Sequence, residues 1–282
     1  MGQEHNLREH EFENLQLLKL GGSLITDKAQ PHTAHPDVMR RLAREISVVL
    51  QEAPSLQLVL GHGSGSFGHV VGQRYGTRKG VRTTEEWQGF QEVWWEARAL
   101  NLIFMEILHE AGLPALIFPP SAGAMADDGR VVDWTLAPIR NALKAGLLPV
   151  VYGDVAFDRT RGGTILSTED LFDYLARQLR PRRILLAGLE PGVWADYPER
   201  KRIIPEITSA NIAEVLPAVK EADAVDVTGG MASKVSQSLE LVAAIAGLDV
   251  LIFSGAESGA LKRALRGEQV GTVIKGAPRK LF

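Results

Sequence analysis

Short apolar runs punctuate the chain at Leu15–Leu20, Leu56–Leu60, Ala115–Phe118, Leu148–Val151, Arg183–Ala187 and Val250–Phe253. Most are unbroken rather than alternating, the pattern of strands covered on both faces. Between them the period lengthens to that of amphipathic helices. Over Pro36–Ala53, residues Val38, Leu42, Ile46, Val49 and Leu50 fall on one stripe. Further helices are predicted over Glu85–Ala111, Leu171–Leu179, Met231–Ala246 and Ala260–Leu265, and Ser167-Thr168-Glu169-Asp170 reads as a capping signal. Strands separated by helices predict an α/β fold, a three-layer αβα sandwich around an open, mainly parallel central sheet. In such sheets ligands bind beyond the carboxyl ends of the strands. The glycine turns at 21–23, 61–68, 153 and 188 fall there.

Composition narrows the function without naming it. The chain has 282 residues, 45% hydrophobic and 23% charged, with a formal net charge of −3. No global basic field points to nucleic acid or an anionic membrane. The absence of cysteine excludes disulfides, thiol catalysis and thiolate metal sites, and fits a reducing cytoplasm. Residues 1–14 are polar, lack the apolar core of a signal peptide and are expected to form a flexible tail. Apolar windows such as Leu239–Gly247 fall well short of the roughly 20 residues that span a bilayer. Arg180-Pro181-Arg182-Arg183 reads as a helix stop. It divides the expected domain, 15–282, into lobes of about 15–180 and about 181–282.

The candidate chemistry lies in three glycine turns. The run Gly61-His62-Gly63-Ser64-Gly65-Ser66-Phe67-Gly68-His69 follows a strand. Without Cβ atoms, such a turn lets an anion approach backbone amides. It ends in His69, able to donate a hydrogen bond or proton near neutral pH. His62 reads as a hydrogen-bonded structural residue. Lys19-Leu20-Gly21-Gly22-Ser23 closes the first strand with a lysine beside its glycines, and Lys28 follows. Asp226-Val227-Thr228-Gly229-Gly230 precedes a helix whose first turn carries Lys234. Free amides and the positive end of the helix dipole suit a phosphate there. Each turn alone is as readily a tight strand-to-helix connection. Together they predict two phosphate groups held face to face.

Gly63–Gly68 matches the G-x-G-x-x-G dinucleotide pattern, but it follows the second strand, and Glu85 and Glu86 begin a helix instead of ending a strand. No Walker A lysine, esterase elbow or His-Glu-x-x-His motif occurs. Scattered histidines make a poor metal site. Trp87, Phe90 and Trp94 read either as core or as an apolar wall.

Taken together these residues resemble the amino acid kinase superfamily and, within it, the isopentenyl phosphate kinases. Lys19 to Lys28 is similar to the opening strand and loop of that family. His62 to His69 is similar to its His-Gly-Gly-Gly-Ser-Phe-Gly-His loop, Thr228 to Lys234 to its nucleotide-site turn, and Gly271-Thr272-Val273-Ile274 to the closing strand. The likeness spans about residues 15–275. It implies the amino acid kinase fold, with a phosphate-acceptor lobe followed by a nucleotide lobe. It also implies ATP with Mg²⁺, transfer to isopentenyl phosphate or dimethylallyl phosphate, and a homodimer. By the same resemblance, Lys19 and Lys28 face the transferring phosphoryl group. Gly21, Gly22, Ser23, Gly65, Gly230 and Lys234 hold ATP. Ser64, His69 and a Gly153 amide hold the acceptor. Two positions depart from the family pattern. Ser64 replaces the middle glycine, and Ala187–Trp194 lacks the two aspartates usual at that turn. Fosfomycin kinases, a non-catalytic nucleotide-binding relative and an NAD-dependent oxidoreductase are the competing readings.

Overall fold

The structure, a computed structural model, describes residues 11–215 and 230–276. In chain order the strands are β1 (Leu15–Leu20), β2 (Gln57–His62), β3 (Ala115–Ile117), β4 (Ala124–Asp127), β5 (Arg130–Trp134), β6 (Leu148–Tyr152) and β7 (Asp154–Asp158). They continue with β8 (Gly162–Leu166), β9 (Arg183–Gly188), β10 (Val193–Trp194), β11 (Ile203–Ile204), β12 (Glu206–Ile207), β13 (Asp249–Ser254) and β14 (Gly271–Lys275). Helices used below are α1 (Gly22–Ile25), α2 (Pro36–Glu52), α3 (Gly65–Tyr75), α4 (Thr84–Glu110), α5 (Ala137–Lys144), α6 (Thr168–Leu179), α7 (Met231–Ala244) and α8 (Ala260–Leu265).

Eight strands form the central sheet in the order β12-β14-β13-β9-β1-β2-β6-β3. Every pair is parallel except β13 with β14. The expected open, mainly parallel sheet is therefore present. Its first strand is also its middle, since β1 pairs with β2 on one side and β9 on the other. That reversal of strand order is where an α/β sheet opens a crevice.

The buried strands split their apolar side chains between two cores. Leu15 and Leu17 of β1 point into a core with Phe172 and Leu175 of α6 and Val235 and Leu241 of α7. Leu18 and Leu20 point the other way, into a core with Met39 and Leu42 of α2, Leu100 and Phe104 of α4 and Leu261 of α8. Helices cover both faces, as three layers require. The termini of the site-bearing helices are fixed locally. Ser167 and Asp170 cap each other at the start of α6, as Thr83 and Glu86 do for α4. Arg180 ends α6 in the left-handed conformation, φ 52°.

Three elements differ from expectation. A second sheet, β5-β4-β7-β8, covers residues that the apolar pattern left unassigned. Helix α3, which the apolar pattern does not predict, starts inside the glycine turn at Gly65 and carries His69. Residues 11–14, expected to belong to a flexible tail, are tied down: Phe12 is buried and Glu11 pairs with Arg140 and Lys144; residues 1–10 lie outside the described residues. Among the described residues, no helix is long and apolar enough to cross a membrane.

Candidate active site

Two glycine turns pack directly on one another at the carboxyl ends of β1 and β2. A Cβ on Gly22 would lie 2.5 Å from the Gly65 nitrogen, and one on Gly63 would lie 2.9 Å from the Gly22 nitrogen. Only glycine permits that approach. Gly65 also adopts φ +51°, and a Cβ there would strike Thr26 Oγ1 at 2.1 Å. Thr26 staples the pair: its Oγ1 donates to Gly22 O at 2.8 Å and accepts from Ser66 N at 2.9 Å. Gly21 N donates to Ala187 O at 2.8 Å, tying the turn to β9. The amides of Gly22, Ser23, Ser64 and Gly65 have no acceptor among the described residues. The result is a cluster of unsatisfied donors at the crevice, the ingredient of an anion site. Ser64 sits at φ −77°, ψ −11°, ordinary right-handed backbone, so serine at this position costs the turn nothing.

Charges converge on the same place. Lys19, buried at the last turn of β1, donates to Glu169 Oε1 in the first turn of α6. Burial pushes the Glu169 pKa up, but Lys19 and then Lys234 outweigh it, and the carboxyl is held below its ordinary value. His69 is lowered, first by desolvation and then by Lys28 and Lys19, with Glu169 pulling the other way. The imidazole is exposed at its surface yet hemmed in by protein at longer range, as a concave site allows. Lys28, Lys19 and Glu169 thus bear on His69, and Lys19 and Lys234 bear on Glu169, which links the two. Lys234 stands one turn into α7, behind the buried N-cap Gly230. With Glu169 it borders a cavity of about 300 Å³ between α6 and α7. The turn residues Asp226 to Gly229 lie outside the described residues.

Gly153 requires a correction. Its N–H is not available to a ligand, because it donates to His62 O at 3.1 Å and extends the β2–β6 pairing. His62 is structural, as expected. It is fully buried and stacked on Tyr152, and its pKa is lowered to about 4 by desolvation. Its Nδ1 lies 3.0 Å from Gly63 O, which can only accept. That places the proton on Nδ1 and leaves Nε2 to accept from Asn101 Nδ2 at 2.9 Å.

Sequence reasoning missed Glu169 as a site residue and read it only as part of a helix cap. A sharper signal was available. Two acids in the first turn of a helix that follows a strand end stand where a lysine from a neighbouring strand end can reach.

Residues 14–254 match the model of the amino acid kinase family. The chain is 32% identical over 267 residues to an isopentenyl phosphate kinase from Methanocaldococcus jannaschii, covering 92% of this chain and 98% of that one. It is 36% identical over 264 residues to one from Haloferax volcanii, covering 93% and 99%. A solved isopentenyl phosphate kinase superposes with a TM-score of 0.78 at 30% identity, over 93% of this chain and 100% of the other. The chain belongs to the amino acid kinase family and, within it, groups with the isopentenyl phosphate kinases.

Proposed function

We propose that the protein transfers the γ-phosphoryl group of ATP to isopentenyl phosphate, giving isopentenyl diphosphate and ADP. What carries this reading is the electrostatic linkage of His69 to Lys19, Lys28 and Glu169, and of Glu169 to Lys234, beside two glycine turns with unsatisfied amides. An acceptor phosphate oxygen attacks the γ-phosphorus, and the bond from that phosphorus to the β–γ bridging oxygen breaks. A phosphate monoester is largely dianionic at pH 7, because its second pKa is near 6. No general base is required. The barrier is mutual repulsion and moving negative charge, which positioning and fixed positive charge reduce. Lys19 and Lys28 meet the transferring group, and Lys234 with Gly230 holds the nucleotide phosphates. The Ser64 amide and His69 hold the acceptor. A neutral imidazole suits that last role, since it donates one directed hydrogen bond without drawing the acceptor into a static ion pair.

The described residues do not fit a protein-built Mg²⁺ cage. No three His, Asp or Glu side chains converge, and the nearby acids are engaged, Glu169 by Lys19 and Asp170 by Arg78 and Ser167. Magnesium in this reading arrives on the nucleotide, held by phosphate oxygens and water. The acceptor's apolar tail fits a cavity of about 310 Å³ lined by Phe90, Gln91, Trp94, Ser121, Ala122 and Val155. Its wall helix, α4, packs against α3, which carries His69. Trp87 stands apart, against Phe90 and Phe157. In this reading residues preceding Arg180 form the acceptor lobe and those following it the nucleotide lobe.

We also infer a cytoplasmic homodimer formed through the sheet edge at β3, where Leu116 is exposed, with Trp95 and Leu102 of α4 as further exposed apolar side chains. Gel filtration tests the dimer.

The deciding assay measures ADP release with isopentenyl phosphate, dimethylallyl phosphate, fosfomycin and N-acetylglutamate. The phosphates turn over and the other two do not. In His69→Ala, turnover of isopentenyl phosphate is lost while nucleotide binding survives. Normal kinetics in that variant remove His69 from the mechanism.

A further inference from the structure

Lys28 is held in the cleft by its loop and not by its own contacts. It is exposed and makes no hydrogen bond or ion pair among the described residues, yet its charge reaches His69. The loop runs from α1 to α2 and is closed at its base by the Thr26–Ala34 bridge, by Asp27 N to Thr33 O at 2.9 Å and by His35 N to Ile25 O at 2.8 Å. Residues 28–32 beyond that base are exposed. A tip of this kind ordinarily samples many conformations.

One residue pins it. His32 adopts φ +53°, a conformation that a non-glycine residue keeps only where the surroundings enforce it. Its Nδ1 lies 2.8 Å from Glu96 Oε2 on α4. Its ring meets Phe67 of α3 edge-on, centroids 5.5 Å apart. Glu96 keeps only 16% of its side chain exposed, and its buried Oε2 has no hydrogen-bond partner. The contact is a close approach of imidazole to carboxylate, an ion pair when His32 carries a proton, and not an aligned hydrogen bond. Removing His32 leaves that oxygen without any partner, so the pair is tighter than its exposed imidazole alone suggests. Thr33 adds looser ties to Ser66 Oγ at 3.4 and 3.5 Å. The loop is therefore fastened to α3, which bears His69, and to α4, which walls the apolar cavity.

We propose that His32 and Glu96 form a latch that sets the Lys28 loop over the cleft, making both positioning residues for phosphoryl transfer. The proposal rests on the kinase reading above. A latch of this kind fixes where a flexible ammonium group stands without touching the substrate itself. Misplacing a group by about 1 Å can cost up to 100-fold in rate.

The test uses the full-length protein in steady-state kinetics with ATP and isopentenyl phosphate. His32→Ala and Glu96→Gln each lower kcat about tenfold, with the KM for ATP within about twofold of wild type. The double variant loses no more than either single one. In a Lys28→Ala background, His32→Ala has no further effect. An unchanged kcat in Glu96→Gln overturns the latch, as does an equal His32→Ala penalty with and without Lys28. Wild-type protein inactive on isopentenyl phosphate ends the substrate reading instead. The latch is then judged by amide exchange of residues 27–33, which accelerates about tenfold or more in Glu96→Gln and otherwise rules it out.

Discussion

His62 and His69 flank one glycine turn, and desolvation is the first cause of a lowered pKa in both. Their surroundings differ in everything else. The layer around His62 is sealed. Both ring nitrogens are engaged, Tyr152 stacks on the imidazole and Phe104 packs nearly at right angles to it, and Asp154 nearby is buried with Ser121 and Val155 donating to it. The cleft around His69 is open. Backbone donors there lack acceptors among the described residues, and the Glu169 carboxylate stands between Lys19 and Lys234. A perturbed pKa does not by itself distinguish a working site from a wall. Unspent donors do, because they are interactions held in reserve for a ligand.

The sharpest way to break this distinction is to remove charge from the cleft. Lys19→Ala lowers kcat by about 100- to 1000-fold, the range for deleting one preorganised electrostatic donor, about 3–4 kcal/mol of barrier. It also strands Glu169 without its partner, so Lys19→Ala/Glu169→Gln recovers thermal stability but not rate. Single-turnover kinetics and melting curves on the two variants check both halves. A Lys19→Ala enzyme that turns over at the wild-type rate takes Lys19 out of the mechanism.

How much of this was readable in the sequence follows the range of the interactions. The glycine turns and the lysine beside them were legible because a tight turn, a missing Cβ and a strand end are all local. The Lys19–Glu169 pair joins residues 150 positions apart, so periodicity could place each residue on its element and still not bring them together. Gly153 failed for a related reason. A strand end suggests a free amide, but the β2–β6 register delivers His62 O to it. The small sheet was readable in part. Asp128-Gly129, with φ of 48° and 79°, is the two-residue hairpin signal of a turn needing positive φ at both positions. It was passed over because β4 and β5 are only 4 and 5 residues long and half exposed, which dilutes their alternation.

Within the sealed layer, acid is the lever. His62 has a folded-state pKa of about 4 against an ordinary 6.5. The unfolded chain therefore binds the extra proton first as pH falls. The stability contributed by neutral His62 is present above about pH 6.5 and lost as pH falls toward 4, on the order of 3 kcal/mol in all. Urea unfolding at steps between pH 7 and pH 4 shows the loss. His62→Gln, less stable at pH 7, flattens the slope attributable to this group. A slope identical to wild type assigns the acid sensitivity elsewhere.

Asp154 works against His62 in nearly the same window, and the opposition gives the smallest and most discriminating effect. Burial raises its pKa from 3.8 to about 6, despite hydrogen bonds from Ser121 and Val155 that favour the ionised form. Here the folded state holds the proton longer. The stability it adds is present below about pH 4 and is lost as pH rises through 6. Between pH 4 and 6 the two titrations partly cancel, so the wild-type profile is shallower than His62 alone would give. Asp154→Asn removes the offsetting term while keeping an acceptor for Ser121 Oγ, which anchors the turn lining the apolar cavity. The variant loses stability more steeply on acidification than wild type, by up to about 3 kcal/mol over that interval. Its kcat at pH 7 stays within about twofold, because Asp154 lies in the wall and not in the cleft. A kcat loss as large as that of Lys19→Ala would mean that the sealed layer does chemistry, and the contrast between the two histidines would then be one of exposure alone.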